Sequence, residues 1–391
     1  MTSGTQSQQI ILNLENFPFF VGVVDPNTAT ELPSKLPFAL LIDPKLAVPR
    51  LNLTPQIMDA LDKAYGASSM LSTPLGESDL ANYRMIEMLE KLKSIYGDDF
   101  KAKSFLEIGC GNGLLLNAVK QLGALVSGCE VGPQGKTASE KYDFQVVEPP
   151  LKASQFDAKF DCIFSYGCLE HVVDLEELFK SCRDILNEGG LFFHCVPNMD
   201  SSYTSKRLDE LCHEHINYFT PRNSTRLLSC QGFSSVDSHL TTAGNEFFFW
   251  GYRDASKPLS WPGETETVLE TETRKLTEFS YAIKSEVNHL SSSLERIYQR
   301  DESIGFYGGG VSLALLMPSI ENVRFYDGDT SKHGKCWLNT LPPIQSPRDL
   351  KSDPVDNLII CPEHHYSKII NYLTNDIDIP ESIKIIKLSE I

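Results

Sequence analysis

The chain has 391 residues, room for two or three domains and a sizeable buried core. Its 52 Asp and Glu against 35 Lys and Arg give a formal net charge of -17, which excludes a basic nucleic-acid footprint as the organising feature. The 41% apolar content is that of a globular chain, no apolar run approaches the ~20 residues of a membrane span, and MTSGTQSQQI does not open like a signal peptide. A cytoplasmic protein without a membrane partner is expected. The ten cysteines, the first at Cys110, contain no pair with the two-residue gap of a zinc knuckle, so reduced thiols and no metal are expected.

Residues 1–78 are broken by prolines at 18, 26, 33, 37, 44, 49, 55 and 74. This region reads as an irregular N-terminal cap. It has one helix near 56–65 and short strands in FPFFVGVV and PFALLI. From 79 to 96 apolar residues recur at helical spacing, Leu80, Tyr83, Ile86 and Leu89 among them, and predict an amphipathic helix that opens the main domain, 79–252.

Strands and helices then alternate. SFLEIGC, LVSGCEV, FDCIFSYG and LFFHCV read as strands, with GLLLNAVKQLG and LEELFKSCRDIL as helices, the latter closed by Gly189 and Gly190. Such alternation argues a mostly parallel, doubly wound sheet. SSVDSHL and EFFFWGY follow without a helix between them and predict an antiparallel hairpin at its edge. A linker and long helix cover 253–303, the helix at 264–300. A smaller C-terminal α/β unit, 304–391, has strands SIGFYGG, NVRFYDG and NLIIC and helices in VSLALLMPSI and HHYSKIINYL.

The most informative segment is Glu107-Ile-Gly109-Cys-Gly111-Asn-Gly113, after a strand and before a helix. Glycines let the backbone turn tightly and approach a ligand where a Cβ would collide. A nicotinamide loop normally reads G-x-G-x-x-G, whereas this one is E-x-G-x-G-x-G. Its acidic residue can accept a hydrogen bond from an ammonium group. Glu130, at the end of the second strand, can accept from both hydroxyls of a ribose. Together with the antiparallel tail these residues favour S-adenosylmethionine. The segment 80–250 resembles the class I methyltransferases, whose Rossmann-like sheet has seven strands with the last antiparallel. The resemblance implies a cofactor over Gly109, Gly111 and Gly113, ribose on Glu130, and methionine and substrate beside Tyr166, Gly167 and Glu170.

His171 follows the fourth strand, at the carboxyl edge where open α/β sheets bind ligands. An insertion at 198–220 carries Cys212-His213-Glu214-His215-Ile-Asn-Tyr218-Phe. Two histidines flanking a glutamate suit a general base and an orienting acid. Either imidazole can instead cap the helix at 220–230 or bond a loop. The H-E-H spacing lacks the i,i+4 histidines of a helical zinc protease.

The order LEIGCGNG, LEHV, VPN, HEHINYFT and a C-terminal α/β unit resembles the sugar C-methyltransferases that act on nucleotide-linked keto-deoxy-sugars. In that family the final histidine of Y-H-E-H is the proposed base, assisted by the glutamate and the preceding tyrosine. This implies His215 as base, Glu214 as its partner, His171 as a second acid or base, and Cys212 where the family has tyrosine. His213 completes the candidate catalytic set. GFYGGG, Asp327 and the Ser331–Lys335 segment resemble the family's C-terminal domain, which helps hold the nucleotide sugar. Two departures stand out: there are no cysteines for the family's N-terminal zinc module, and Gly310-Val-Ser312-Leu replaces its usual polar run. The expected reaction is C-methylation through an enolate formed by a histidine base. O-methylation of a sugar or other small metabolite is the alternative. The partner is a small molecule, and the chain is expected to be a monomer or homodimer.

Overall fold

The computed structural model describes residues 9–19, 23, 32–67, 79–97, 99–206, 211–264, 266–309, 323–337, 342–362 and 365–391. The chain divides into two compact units. One comprises residues 1–12, 39–205 and 214–277, the other 13–38, 206–213 and 278–391. No described helix is long and apolar enough to cross a membrane.

The chain opens with β1 (Ile10–Pro18), β2 (Lys35–Ile42) and β3 (Pro49–Leu51), then helices α1 (Pro55–Ala67) and α2 (Asp79–Tyr96). The strand expected in FPFFVGVV begins earlier, because alternation starts at Leu12 and Leu14, which are buried while Asn13 and Glu15 face out. Only Phe17 and Pro18 of that run belong to β1, and residues 20–22 and 24 lie outside the described residues. Leu40 of β2 pairs antiparallel with Leu51 of β3.

The first unit is built on a seven-stranded sheet. Its elements are β4 (Ser104–Ile108), α3 (Leu114–Gln121), β5 (Leu125–Cys129), α4 (Gln134–Tyr142), β6 (Gln145–Val147), β7 (Phe160–Tyr166), α5 (Leu175–Ile185), β8 (Leu186–Pro197), α6 (Met199–Ser205), α7 (Pro221–Cys230), β9 (Phe233–Leu240) and β10 (Glu246–Arg253). Strand order is β6-β5-β4-β7-β8-β10-β9. The first five strands are mutually parallel, and β10 enters antiparallel beside β8, with Glu246 opposite Pro197. This is the α/β class I methyltransferase topology expected from the sequence.

Both faces of the sheet are covered, so its strands read as continuous apolar runs. Phe105, Phe164, Phe193 and Phe248 pack on one side with Met88 and Leu92 of α2. Their neighbours Leu106, Ile163, Phe192 and Phe247 pack on the other with Phe179 of α5 and Leu227 of α7. Asp174 caps α5 by accepting from Glu177 N–H, and Thr220 and Asn223 form a reciprocal cap before Pro221. Helix α5 ends at Ile185, ahead of Gly189 and Gly190. Those glycines lie inside β8, whose Leu186 already pairs with Phe160.

Helix α8 spans Glu266–Tyr298, close to the expected range. In the second unit β11 (Ile304–Tyr307), β12 (Val323–Tyr326), β13 (Ile344–Gln345), β14 (Asn357–Ile360), α9 (Tyr366–Asn371) and β15 (Lys384–Lys387) follow. The five strands are parallel in the order β13-β12-β11-β14-β15. Leu290 and Leu294 of α8 pack on Ile304, Phe306 and Phe325. The helix expected in VSLALLMPSI, with Gly310, lies outside the described residues.

Candidate active site

Every strand of the first sheet but β10 delivers its last residue to the same edge, and β10 delivers its first. The turn after β4 is closed by Gly109 N–H to Cys129 O at 2.8 Å and by Gly113 N–H to Cys110 O at 2.8 Å. Gly109, Gly111 and Gly113 have φ of +71°, +50° and +77°. A Cβ on Gly113 would lie 2.8 Å from Phe144 and 2.9 Å from Ala138, so this glycine is required by packing. A Cβ on Gly111 would meet nothing within 4 Å. The space over Gly111 is therefore open, as a cradle for a ligand must be.

Two carboxylates flank that cradle. Glu130 Oε2 accepts from Gly111 N–H at 2.8 Å, and Oε1 accepts from Val131 and Gly132 N–H at 2.9 Å each. A carboxylate oxygen has two lone pairs, so Oε2 retains an acceptor position beyond Gly111. Glu107 is buried, and its Oε2 has no hydrogen-bond partner among the described residues. Burial and the nearby charge of Glu130 push its pKa well above the usual carboxylate range. A ligand cation placed beside Glu107 would relieve both effects. These features fit an adenosyl and amino-acid ligand.

Tyr166 closes β7, and its hydroxyl donates to Glu246 at 2.8 Å, with Arg84 Nε of α2 3.4 Å from the same carboxylate. Gly167 follows with φ +59°. Neither Glu246 nor Arg84 is visible as a site residue in the sequence, because each is separated from Tyr166 by about 80 residues.

The single turn Leu169–His171 carries the next group. His171 Nδ1 is 2.8 Å from Glu214 O. A carbonyl only accepts, so Nδ1 carries the proton and Nε2 the lone pair. Burial holds the His171 pKa down to about 4, against a smaller raising effect of that hydrogen bond. The ring of His215 stands 5.1 Å from that of His171, tilted edge-on. Glu170, His171 and His215 each bring one nitrogen or oxygen within 4.8 Å of the others. The sequence suggests no metal here, but one ion could be reached by all three.

His213 does not join this group. Its ring lies 5.4 Å to 5.7 Å from those of Phe17, Phe19 and Phe38, and its Nε2 donates to Pro37 O at 3.3 Å. It is fully buried, and burial lowers its pKa to about 4. Residues two apart share a face only where the backbone stays extended, and the chain turns at His213 and Glu214. Cys212 is buried as well, with no phenol in its place.

Residues 80–238 match a sequence family described as a methyltransferase domain. This domain is an S-adenosylmethionine-dependent methyltransferase. Among curated proteins the methyltransferase is similar to a ubiquinone biosynthesis O-methyltransferase of Dinoroseobacter shibae, 27% identical over 177 residues, 39% of this chain and 71% of that protein. A protein of the same name from Idiomarina loihiensis is 29% identical over 32% of this chain and 55% of its own length. Among solved structures, magnesium protoporphyrin IX methyltransferase from Synechocystis, with SAH bound, aligns with a TM-score of 0.37 and 14% identity over 50% of this chain and 94% of that one. A Pyrococcus horikoshii protein aligns with a TM-score of 0.38 and 19% identity over 46% and 93%.

Proposed function

We propose that the methyltransferase methylates carbon in a small keto compound, a nucleotide-linked keto-deoxy-sugar, with the His171–His215 pair as the proton-handling device. The observation that carries this reading is the neutral, tautomer-fixed His171 beside His215 at the carboxyl edge of the sheet. When bound, S-adenosylmethionine supplies a methyl group on a sulfonium, so the protein's work is binding, orientation and proton transfer. Gly109 and Gly113 shape the turn, Gly111 leaves room for the nucleoside, the open position on Glu130 Oε2 accepts from a ribose hydroxyl, and Glu107 faces the ammonium charge. Tyr166 and Gly167 line the methionine end.

A carbonyl acidifies the neighbouring C–H. His215 takes that proton as base, and the electron pair of the broken C–H bond is held as the substrate's enolate; bound S-adenosylmethionine would supply the methyl group, its sulfur keeping the electron pair of the S–CH3 bond. The lone pair on His171 Nε2 offers a second acceptor or, once protonated, a donor to the enolate oxygen. Glu214 contributes through its backbone carbonyl, which fixes the tautomer of His171. The substrate class rests on the order of the LEHV and HEHINYFT motifs. A second reading, O-methylation, is favoured by the names of the curated relatives.

The test uses cofactor labelled with carbon-13 in the methyl group and a nucleotide-linked keto-deoxy-sugar as acceptor. NMR of the product distinguishes a methyl bound to carbon from a methyl ether. Deuterium exchange at the carbon beside the carbonyl, with S-adenosylhomocysteine present, is expected for the unaltered protein and not for His215→Asn. Exchange equally fast in both removes His215 as base. A methyl ether as product overturns the C-methyl reading.

A further inference from the structure

We infer that Asn217 is a positioning residue that holds His171 and His215 in register, with Arg50 on β3 as its anchor. The inference deepens the proposed function and rests on its assignment of the histidine pair. It starts from hydrogen bonds that the motifs themselves do not contain. The Asn217 side-chain Nδ2 donates to Leu169 O at 3.0 Å and to Val172 O at 2.7 Å, the carbonyls on either side of the Glu170–His171 pair. Its own N–H and that of Ile216 both donate to Glu170 O, at 2.9 Å and 2.7 Å. With the His171 Nδ1 bond to Glu214 O, five hydrogen bonds join 169–172 to 214–217. The two imidazoles thus ride on one fastened body.

That body is tied to β3. Leu51 N–H donates to Ile216 O and Tyr218 N–H to Pro49 O, each at 2.9 Å, with Arg50 bridging opposite Asn217. The Arg50 guanidinium donates to Val173 O, just after the histidine turn, and to Asp43 Oδ2 at 3.1 Å. Asp43 Oδ1 in turn accepts from Lys45 and Leu46 N–H. The Pro-broken N-terminal region therefore has a task at the site, since its third strand carries the insertion.

Filling space alone would favour leucine at 217. Asn217 is 1% exposed and its Oδ1 is buried without a hydrogen-bond partner among the described residues, a cost that leucine would avoid. The donor end of the amide is fully engaged, by Leu169 O and Val172 O. Displacing reacting groups by about 1 Å costs ~100-fold in rate, so fastening of this kind acts on turnover.

The experiment compares the full chain with Asn217→Leu, Arg50→Met and Arg50→Lys. Nitrogen-15 histidine labelling reads the tautomer of His171 with no substrate present. Calorimetry with S-adenosylhomocysteine reads the cofactor site. The unaltered protein is expected to show a single Nδ1–H tautomer at His171, and Asn217→Leu a mixture of both. Affinity for S-adenosylhomocysteine should stay within about twofold, because the glycine turn shares no partner with Asn217. Turnover on the keto-sugar should fall ~100-fold at unchanged KM for the cofactor. Arg50→Met should shift the same signals less, and Arg50→Lys should restore them, since an ammonium still reaches Val173 O. An unchanged tautomer in folded Asn217→Leu overturns the inference. Should Asn217→Leu fail to fold, Arg50→Met decides by the same readout. Failure of both to fold assigns these residues to stability and overturns it too. If the keto-sugar reading fails, the tautomer measurement still stands on its own.

Discussion

Replacing Gly111 and Gly113 separately by alanine divides the glycine turn into its binding and packing parts. Gly111 has φ +50° and open space where a Cβ would stand. Alanine there meets only the left-handed backbone cost, about 1 to 2 kcal/mol. Gly113 has φ +77°, and its Cβ would come within 3 Å of Phe144 and Ala138, both buried in the core. Overpacking adds about 1 to 3 kcal/mol to the same backbone cost, for a total of about 2 to 5 kcal/mol. At roughly 2 to 4 °C per kcal/mol for a unit of this size, Gly111→Ala should lower Tm by about 2 to 8 °C and Gly113→Ala by more. Binding should order them the other way. The methyl of Gly111→Ala projects into the cradle and should weaken S-adenosylhomocysteine by at least ~10-fold, a loss of about 1.4 kcal/mol. Folded Gly113→Ala, whose methyl faces the core, should bind more nearly as the parent does. Scanning calorimetry and titration calorimetry on the two proteins give both numbers. Gly111→Ala that binds as tightly as the parent would refute the placement of the cofactor over this turn.

His215→Asn should lower turnover ~100- to 10,000-fold without moving Tm, whereas His213→Asn should cost stability and spare the turnover of the folded fraction; the reverse pattern would exchange their roles. Histidine burial sets a pH dependence. His171 and His213 are held down to about 4 and His194 to about 3, so the unfolded chain binds protons below 6.5 that the folded chain refuses. Their contribution is complete above 6.5 and is lost as pH falls toward 4. Glu107, Glu246 and Glu272, all raised by burial, oppose the histidines above 4.5, because there the folded state is the one holding the proton. The expectation is therefore set on a difference: between pH 6 and 5 the parent should lose ~1.4 kcal/mol per pH unit more than His213→Asn does. Urea unfolding in which the two proteins change equally between pH 6 and 5 would contradict it. Finally, EDTA should leave methyl transfer intact and added zinc should inhibit it, by taking the lone pairs of His171 and His215. Loss of activity on chelation, restored by zinc, would make the trio a metal centre.

The methyltransferase sheet was legible because its signals are local. A strand covered on both faces is a short apolar run, and FLEIG, CIFSY and LFFHCV show this without reference to any other part of the chain. The hairpin at the end was readable from two strands with only a turn between them, and pairing of Glu246 with Pro197 puts its second strand, β10, antiparallel beside β8. The N-terminal strand was misjudged for a physical reason. FPFFVGVV has the apolar density of a buried strand, but ILNLEN has the alternation of a half-buried one, and alternation decided. Strand β13 was missed because two residues give no pattern, and β15 because KIIK has a lysine at each end and no fully buried position.

In the site, Glu107, the three glycines and Glu130 carry their own spacing, and the structure brings turn and carboxylate together, with Gly111 N–H donating to Glu130. Those that depend on tertiary pairing do not. H-E-H reads as one constellation, yet Phe17, Phe19 and Phe38 take His213 while the bond to Glu214 O sets His171 beside His215. Asn217 stood in plain view two residues after His215, and only its carbonyl partners at 169 and 172 give it meaning. Arg50 offered no signal, since its partner Val173 lies 123 residues away. The residues that hold the two imidazoles at fixed separation are chosen by the folded geometry rather than by their sequence neighbours. A motif therefore names the chemistry, and the backbone carbonyls around it name what keeps that chemistry in place.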